Sequence, residues 1–207
     1  MNYRFKNQLY FKNIYLEQLI SHKMLKEILA KYNVFTVEEL EEIVSVFKYR
    51  KILKGEYFIK SGEYSKYLAI IQTGILRSFF TESGEELTYC FRFENQPLAS
   101  YASYVGEKRS EKTIQALTDV RLWTISKEAE DRIKIQYPNW DRFLKMIIEE
   151  EYSILEKQRF EVLSMSPAER YKQILVEFPK YIQHIPLQYI ASFIGVSQRH
   201  LSRIRSL

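Results

Sequence analysis

The sequence predicts an α+β chain in three stretches: an antiparallel β-barrel or sandwich with flanking helices, one long helix, and a C-terminal all-α unit. Three observations carry this. Five of the six glycines (Gly55, Gly62, Gly74, Gly84, Gly106) separate short runs rich in Tyr, Ile, Phe and Leu. Runs of that length and spacing are strands joined by turns. From Trp140 to Leu163 there is neither glycine nor proline, room for about 36 Å of helix at ~1.5 Å per residue. The sixth glycine, Gly195, lies between two short segments with apolar stripes, where a tight turn needs a positive backbone angle that a Cβ resists.

Residues 1 to 33 read as helix, with Leu9, Ile14, Leu19, Ile20, Met24, Leu25, Ile28 and Leu29 recurring at three- and four-residue spacing. Glu17 and Glu27 interrupt its polar face, which favours a packing helix over a membrane-surface one. The next helix starts at a capping box, Thr36 with Glu39, and carries the stripe Leu40, Ile43, Val44 and Phe47. The barrel then spans residues 52–126, with strands at 57–60, 67–72, 75–81, 87–93, 113–117 and 120–125. Gly62-Glu63, Thr73-Gly74 and Ser83-Gly84 are its expected hairpin turns.

Helix resumes at Lys127 and breaks at Pro138. In the long helix Phe143, Leu144, Ile147, Ile148, Ile154, Leu155 and Val162 form an apolar seam, while residues 149–151 and 156–159 face water. Such a seam needs a cover, either the chain's own barrel or a second copy of the chain; dimerisation is the sharper expectation. Ser166 and Pro167 cap and open the next helix, which buries Ile174, Leu175 and Phe178. Pro179 and Pro186 bracket the connection that follows.

Residues 187–205 hold the most specific pattern. Ile190, Phe193 and Ile194 line one short helix, and Leu201 and Ile204 the other. Ala191 is small where the two cross, Val196 plugs the corner, and Ser197 caps the second helix. This is a helix-turn-helix, whose second helix enters the DNA major groove. The candidate contacts are Ser197, Gln198, Arg199, His200, Ser202, Arg203 and Arg205, side chains suited to base edges and phosphates. Residues 167–207 hold six Lys/Arg against Glu169 and Glu177, so positive charge gathers where the motif lies.

Composition narrows the class. The net charge of +5 and a pI near 9.1 permit a nucleic-acid partner, and 46% hydrophobic residues suffice for real cores. Cys90 is the only cysteine, which excludes an intrachain disulfide and fits a reducing cytoplasm. Arg4, Lys6, Lys12 and Glu17 break up any secretory segment, and no apolar run reaches membrane-spanning length. His22, His184 and His200 all lie outside the barrel, so a cupin-type metal enzyme is not expected. Without a phosphate-cradling glycine loop or a Gly-x-Ser-x-Gly elbow, the chain reads as a non-enzyme with no cofactor and no metal.

The order barrel, long helix, helix-turn-helix resembles the Crp/Fnr family of bacterial transcription regulators. The segments carrying the likeness are GEYFIKSGEYSKYLAIIQTGILR at 55–77 and IPLQYIASFIGVSQRHLSRIR at 185–205. The second is similar to a short form common among Bacteroidota that stops soon after the recognition helix, without the usual β-wing. The likeness covers Leu25 to the C-terminus and leaves residues 1–24 outside. It implies a cyclic-nucleotide-binding-type barrel of double-stranded β-helix (jelly-roll) form with N-terminal helices in residues 1–137. A dimerisation helix (138–165) and a DNA-binding domain (166–207) follow. The implied partners are a second copy, palindromic double-stranded DNA and RNA polymerase, with half-sites about 34 Å apart. Gln198, Arg199 and Arg203 match the family's base-reading positions; arginine is frequent there where Gln198 stands, so the operator is expected to differ.

In family members that bind cyclic AMP, a Gly-Glu pair and then an Arg-Ser/Thr-Ala run hold the phosphate and ribose. Here Ala99-Ser100 and Ser110-Glu111-Lys112 occupy those places, with Gly106-Glu107 and Arg109 out of register. A buried phosphate needs a fixed cation or backbone donors, and Glu111 opposes it. The expected effector pocket is therefore Ala99, Ser100, Ser110, Glu111 and Lys112, holding some other small molecule or none. Cys90 alone cannot ligate an iron–sulfur cluster. The main alternative is a ligand-binding regulatory subunit that acts through protein partners. It predicts an acidic or apolar outward face on residues 198–205, and this one is basic and polar.

Overall fold

A computed structural model of the chain describes residues 22–206. The expected apolar positions Leu9, Ile14, Leu19 and Ile20 lie outside them. Helix α1 is described over residues 22–30, and α2 spans Val37–Val46. Thr36 caps α2 as expected: its side chain accepts from the Glu39 N–H at 3.2 Å, and the Glu39 carboxylate accepts from the Thr36 N–H at 2.8 Å.

Eight strands follow: β1 (Lys48–Ile52), β2 (Tyr57–Ile59), β3 (Tyr67–Thr73), β4 (Leu76–Glu82), β5 (Glu85–Arg92), β6 (Pro97–Leu98), β7 (Thr113–Ala116) and β8 (Val120–Ser126). They form two four-stranded antiparallel sheets, β1-β8-β3-β6 and β2-β7-β4-β5. The sheets face each other as a jelly-roll-like sandwich and are not closed into a barrel. Of the three expected hairpins only Ser83-Gly84 is one: φ is positive at both residues (52° and 86°), a type I′ turn closing Glu82 on Glu85. Gly62 and Gly74 instead carry the chain from one sheet to the other, because β3 pairs with neither β2 nor β4. β1, β6 and the short helix α3 (Tyr101–Gly106) are additions to the sequence reading. β1 is a lysine-rich edge strand, a composition that hides its register while discouraging edge pairing.

Three cores result. Inside the sandwich, Val120 and Leu122 of β8 meet Ile71, Leu76 and Ile114. Alternate residues Trp123 and Ile125 point the other way, under α1, α2, α4 (Lys127–Gln136) and the start of α5 (Asn139–Ser164). The third core joins Ile75, Phe93 and Leu117 of the sandwich region to α6 (Pro167–Glu177) and the helices after it. Ser166 caps α6, with Pro167 at its first turn.

One buried carboxylate ties three helices together. Glu130 on α4 is 1% exposed. It accepts hydrogen bonds from the Tyr104 hydroxyl of α3 and, at 3.2 Å, from Trp140 Nε1 of α5, and it pairs with Lys134 at 3.0 Å. Removing it strands a buried O–H and a buried N–H. Glu130→Ala should therefore destabilise the fold by about 2–4 kcal/mol, read as a lowered urea midpoint, with Glu130→Gln costing less.

Candidate nucleic-acid interface and sensor cavity

The helix-turn-helix is built from α8 (Leu187–Phe193) and α9 (Gln198–Arg205). Between them Gly195 adopts φ 71°, and the Val196 N–H donates to the Ala191 carbonyl at 3.0 Å. The Ser197 hydroxyl caps α9 by accepting from the His200 N–H at 3.2 Å. Leu201 is fully buried against Ala191, Ile190 and Ile194, and it fixes the roll of α9. That roll leaves Gln198, Arg199, His200, Ser202, Arg203 and Arg205 exposed. Among the described residues no carboxylate pairs with Arg199, Arg203 or Arg205.

The motif is fastened to the sandwich through α8. The Ser192 hydroxyl accepts from the Thr88 N–H at 2.9 Å and donates to the Glu86 carbonyl at 3.1 Å. Arg77, fully buried on β4, sits between the rings of Phe79 (3.9 Å) and Tyr189 (3.6 Å) and pairs with Glu86. Phe93 stacks on Phe178 and on Tyr181, at 4.6 and 4.4 Å.

Between the strands and α5 lies a cavity of about 310 Å³. Of the expected pocket residues only Ala99 and Lys112 line it. The Ser100 and Ser110 hydroxyls are buried and bonded to each other at 2.8 Å, with Ser110 donating onward to the Lys112 carbonyl at 2.7 Å. Glu111 is exposed and paired with Lys108 at 3.4 Å, so it opposes nothing in the cavity. The polar residues that do line it include Ser78, Tyr89, Cys90, Arg92 and Glu151. Arg92 and Glu151 form a two-pronged ion pair from β5 to α5, with Nη1 2.8 Å from Oε1. Burial pushes the Cys90 thiol up and holds the Lys112 ammonium below the ordinary lysine range. The alternation of Cys90 and Arg92 on one strand face was visible in the sequence. Glu151 was hidden in a run of three glutamates that reads as solvent-facing.

Comparison with known proteins settles the architecture. Residues 49–136 match the cyclic nucleotide-binding domain. Among solved structures, FixK2 from Bradyrhizobium japonicum superposes with a TM-score of 0.68 at 15% identity, over 78% of this chain and 83% of that one. CLP, the c-di-GMP-responsive global regulator of Xanthomonas campestris, gives 0.67 at 14% identity over 83% and 90%. The Thermus thermophilus catabolite activator protein gives 0.54 at 18% identity over 83% of each. The chain shares the fold of these three structures. No curated protein matches the sequence.

In this fold α5 is divided. Phe143 is 2% exposed in the chain's own core, and Leu144 and Ile147 pack against that core. Of these three expected dimer contacts, Phe143 is covered from within and Leu144 and Ile147 are partly so. Ile148, Ile154, Leu155 and Val162 are exposed, as are Tyr152, Phe160 (69%) and Leu163 (79%). Glu151, expected in water, is turned inward onto Arg92. Among the described residues no group of three His, Cys, Asp or Glu could hold a metal, and no helix is long and apolar enough to cross a membrane.

The two turn glycines differ in what a side chain would meet. At Gly195 the nearest atom to an added Cβ is Arg170 Nη2 at 3.9 Å, so Gly195→Ala should cost only the left-handed backbone penalty, about 1–2 kcal/mol. At Gly74 the Cβ would fall 2.6 Å from the Asp119 carbonyl oxygen, and Gly74→Ala should lower the melting temperature further.

Proposed function

We propose that the chain is a transcription regulator of the Crp/Fnr type, a cytoplasmic non-enzyme that binds a palindromic operator as a homodimer. The observation that carries the reading is α9 itself. It is a capped helix, held in one roll by buried Leu201, whose outward face is polar, basic and free of acidic partners among the described residues. Arg199 and Arg203 are one helical turn apart there, suited to base edges in a major groove. Gln198 and Ser202 flank them, and Ser197, His200 and Arg205 are placed for phosphates. RNA polymerase is the further partner such a regulator would meet.

The dimer reading rests on the outer part of α5. Ile148, Leu155 and Val162 recur every seventh residue and are exposed, as is Tyr152 between the first two, the spacing of a coiled-coil seam. The division into residues 1–137, 138–165 and 166–207 follows as sensor, dimer helix and DNA-binding unit. Cyclic AMP is not its effector on this reading. Ser100 and Ser110, at the places where the resemblance puts the phosphate-holding residues, satisfy each other, and Glu111 turns outward to Lys108 and supplies no cation there.

With duplexes selected by the protein from a random pool, Arg199→Ala and Arg203→Ala should each cost about 1–3 kcal/mol of affinity and relax base preference. Unchanged gel shifts would remove both from the interface. In sedimentation the wild-type chain should run as a dimer and the double variant Leu155→Glu, Val162→Glu as a monomer. A wild-type monomer, or a dimer that survives both changes, contradicts the seam.

A further inference from the structure

The cavity against α5 has a charge left over. Its wall is mostly apolar, with Leu68, Ile70, Ile125, Ile147 and Leu155 among its lining. Two cations, Arg92 and Lys112, line it beside one carboxylate, Glu151, and that carboxylate is taken up by Arg92. Glu111, next in sequence to Lys112, pairs outward with Lys108. Among the described residues no carboxylate stands within ion-pair distance of Lys112, whose Nζ lies 5.5 Å from the centre of the Tyr89 ring. An ammonium held by a ring face and without an ion pair at the edge of an apolar cavity is costly, and an incoming anion lowers the cost.

We propose that this cavity binds a small amphipathic organic acid, with its carboxylate on Lys112 and its apolar body between the strands and α5. Size agrees: 310 Å³ is room for about ten water volumes, the scale of a monocarboxylate of about ten heavy atoms. A cyclic nucleotide is larger, and its base and sugar bring polar groups that these apolar walls leave unpaired. The Ser100–Ser110 pair, already mutually bonded, gives it no free donor. The acid would lie directly on Glu151, Tyr152 and Leu155, the stretch of α5 that also carries the proposed dimer seam.

The test uses the full chain without DNA, so failure here and failure of DNA recognition are separate results. Octanoate, 4-phenylbutyrate, octanamide and cyclic AMP are titrated by calorimetry and by the fluorescence of Trp140, which lines the cavity. The two carboxylates should saturate the protein, octanamide should bind at least ~10-fold more weakly than octanoate, and Lys112→Met should lose a similar factor. Lys112→Arg should keep most of the affinity, which separates loss of charge from loss of fold. Failure of both carboxylates to saturate at millimolar concentration would overturn the proposal. So would equal binding of acid and amide, undiminished binding to Lys112→Met, or cyclic AMP binding more tightly than either acid.

Discussion

The molecule is organised by the way α5 leaves its own core. Trp140 and Phe143 are buried in the cover of the sandwich, and the Trp140 indole donates to Glu130, so the first turns of α5 cannot roll. From Ile148 onward the same helix carries large apolar side chains that this chain leaves between 38% and 79% exposed. Burying such a side chain is worth roughly 1.5–3 kcal/mol, so leaving a whole row in water works against a helix of this length. A second copy is the cover that the seven-residue spacing fits.

The fixed start of α5 also sets what surrounds the cavity. Glu151 reaches back to Arg92 on β5, while Tyr152 and Leu155 line the cavity and remain exposed on the helix. Any occupant would touch the ion pair that holds α5 to the sandwich. At the other end, α8 leans on β5 through Ser192 and on β4 through Tyr189 against Arg77. A shift of β5 would reach α8, the first helix of the helix-turn-helix, directly through Thr88 and Ser192. The sandwich is therefore joined to α5 through Arg92 and to the C-terminal helices through Arg77, Thr88 and Phe93.

Most of the fold was legible because local signals agreed with tertiary ones. Thr36 with Glu39, Ser166 with Pro167, and Ser197 after Gly195 each mark a helix start that the structure keeps. The strands from β3 to β5 show apolar runs that survive into paired ladders. What escaped were elements defined by partners distant in sequence. β1 is a charged strand that exists because β8 pairs with it, and β6 is two residues long. Turn chemistry showed where the chain bends at Gly62 and Gly74 but not which sheet the next strand joins. At the candidate sites, residues on α9 were readable because helical period alone decides what faces outward. The cavity was not: Ser100 and Ser110 turn to each other, Glu111 turns to solvent, and Arg92 finds Glu151 fifty-nine positions away.

On the proposed function, two copies of α9, related by a dimer of α5 helices, read one stretch of duplex. Protection of a selected duplex from nuclease cleavage, combined with the mass of the complex, tests it most directly. Two protein chains per duplex and a two-fold symmetric footprint are expected, with half-sites one helical turn, ~34 Å, apart. One chain per duplex, or a single unsymmetric patch of protection, would contradict it.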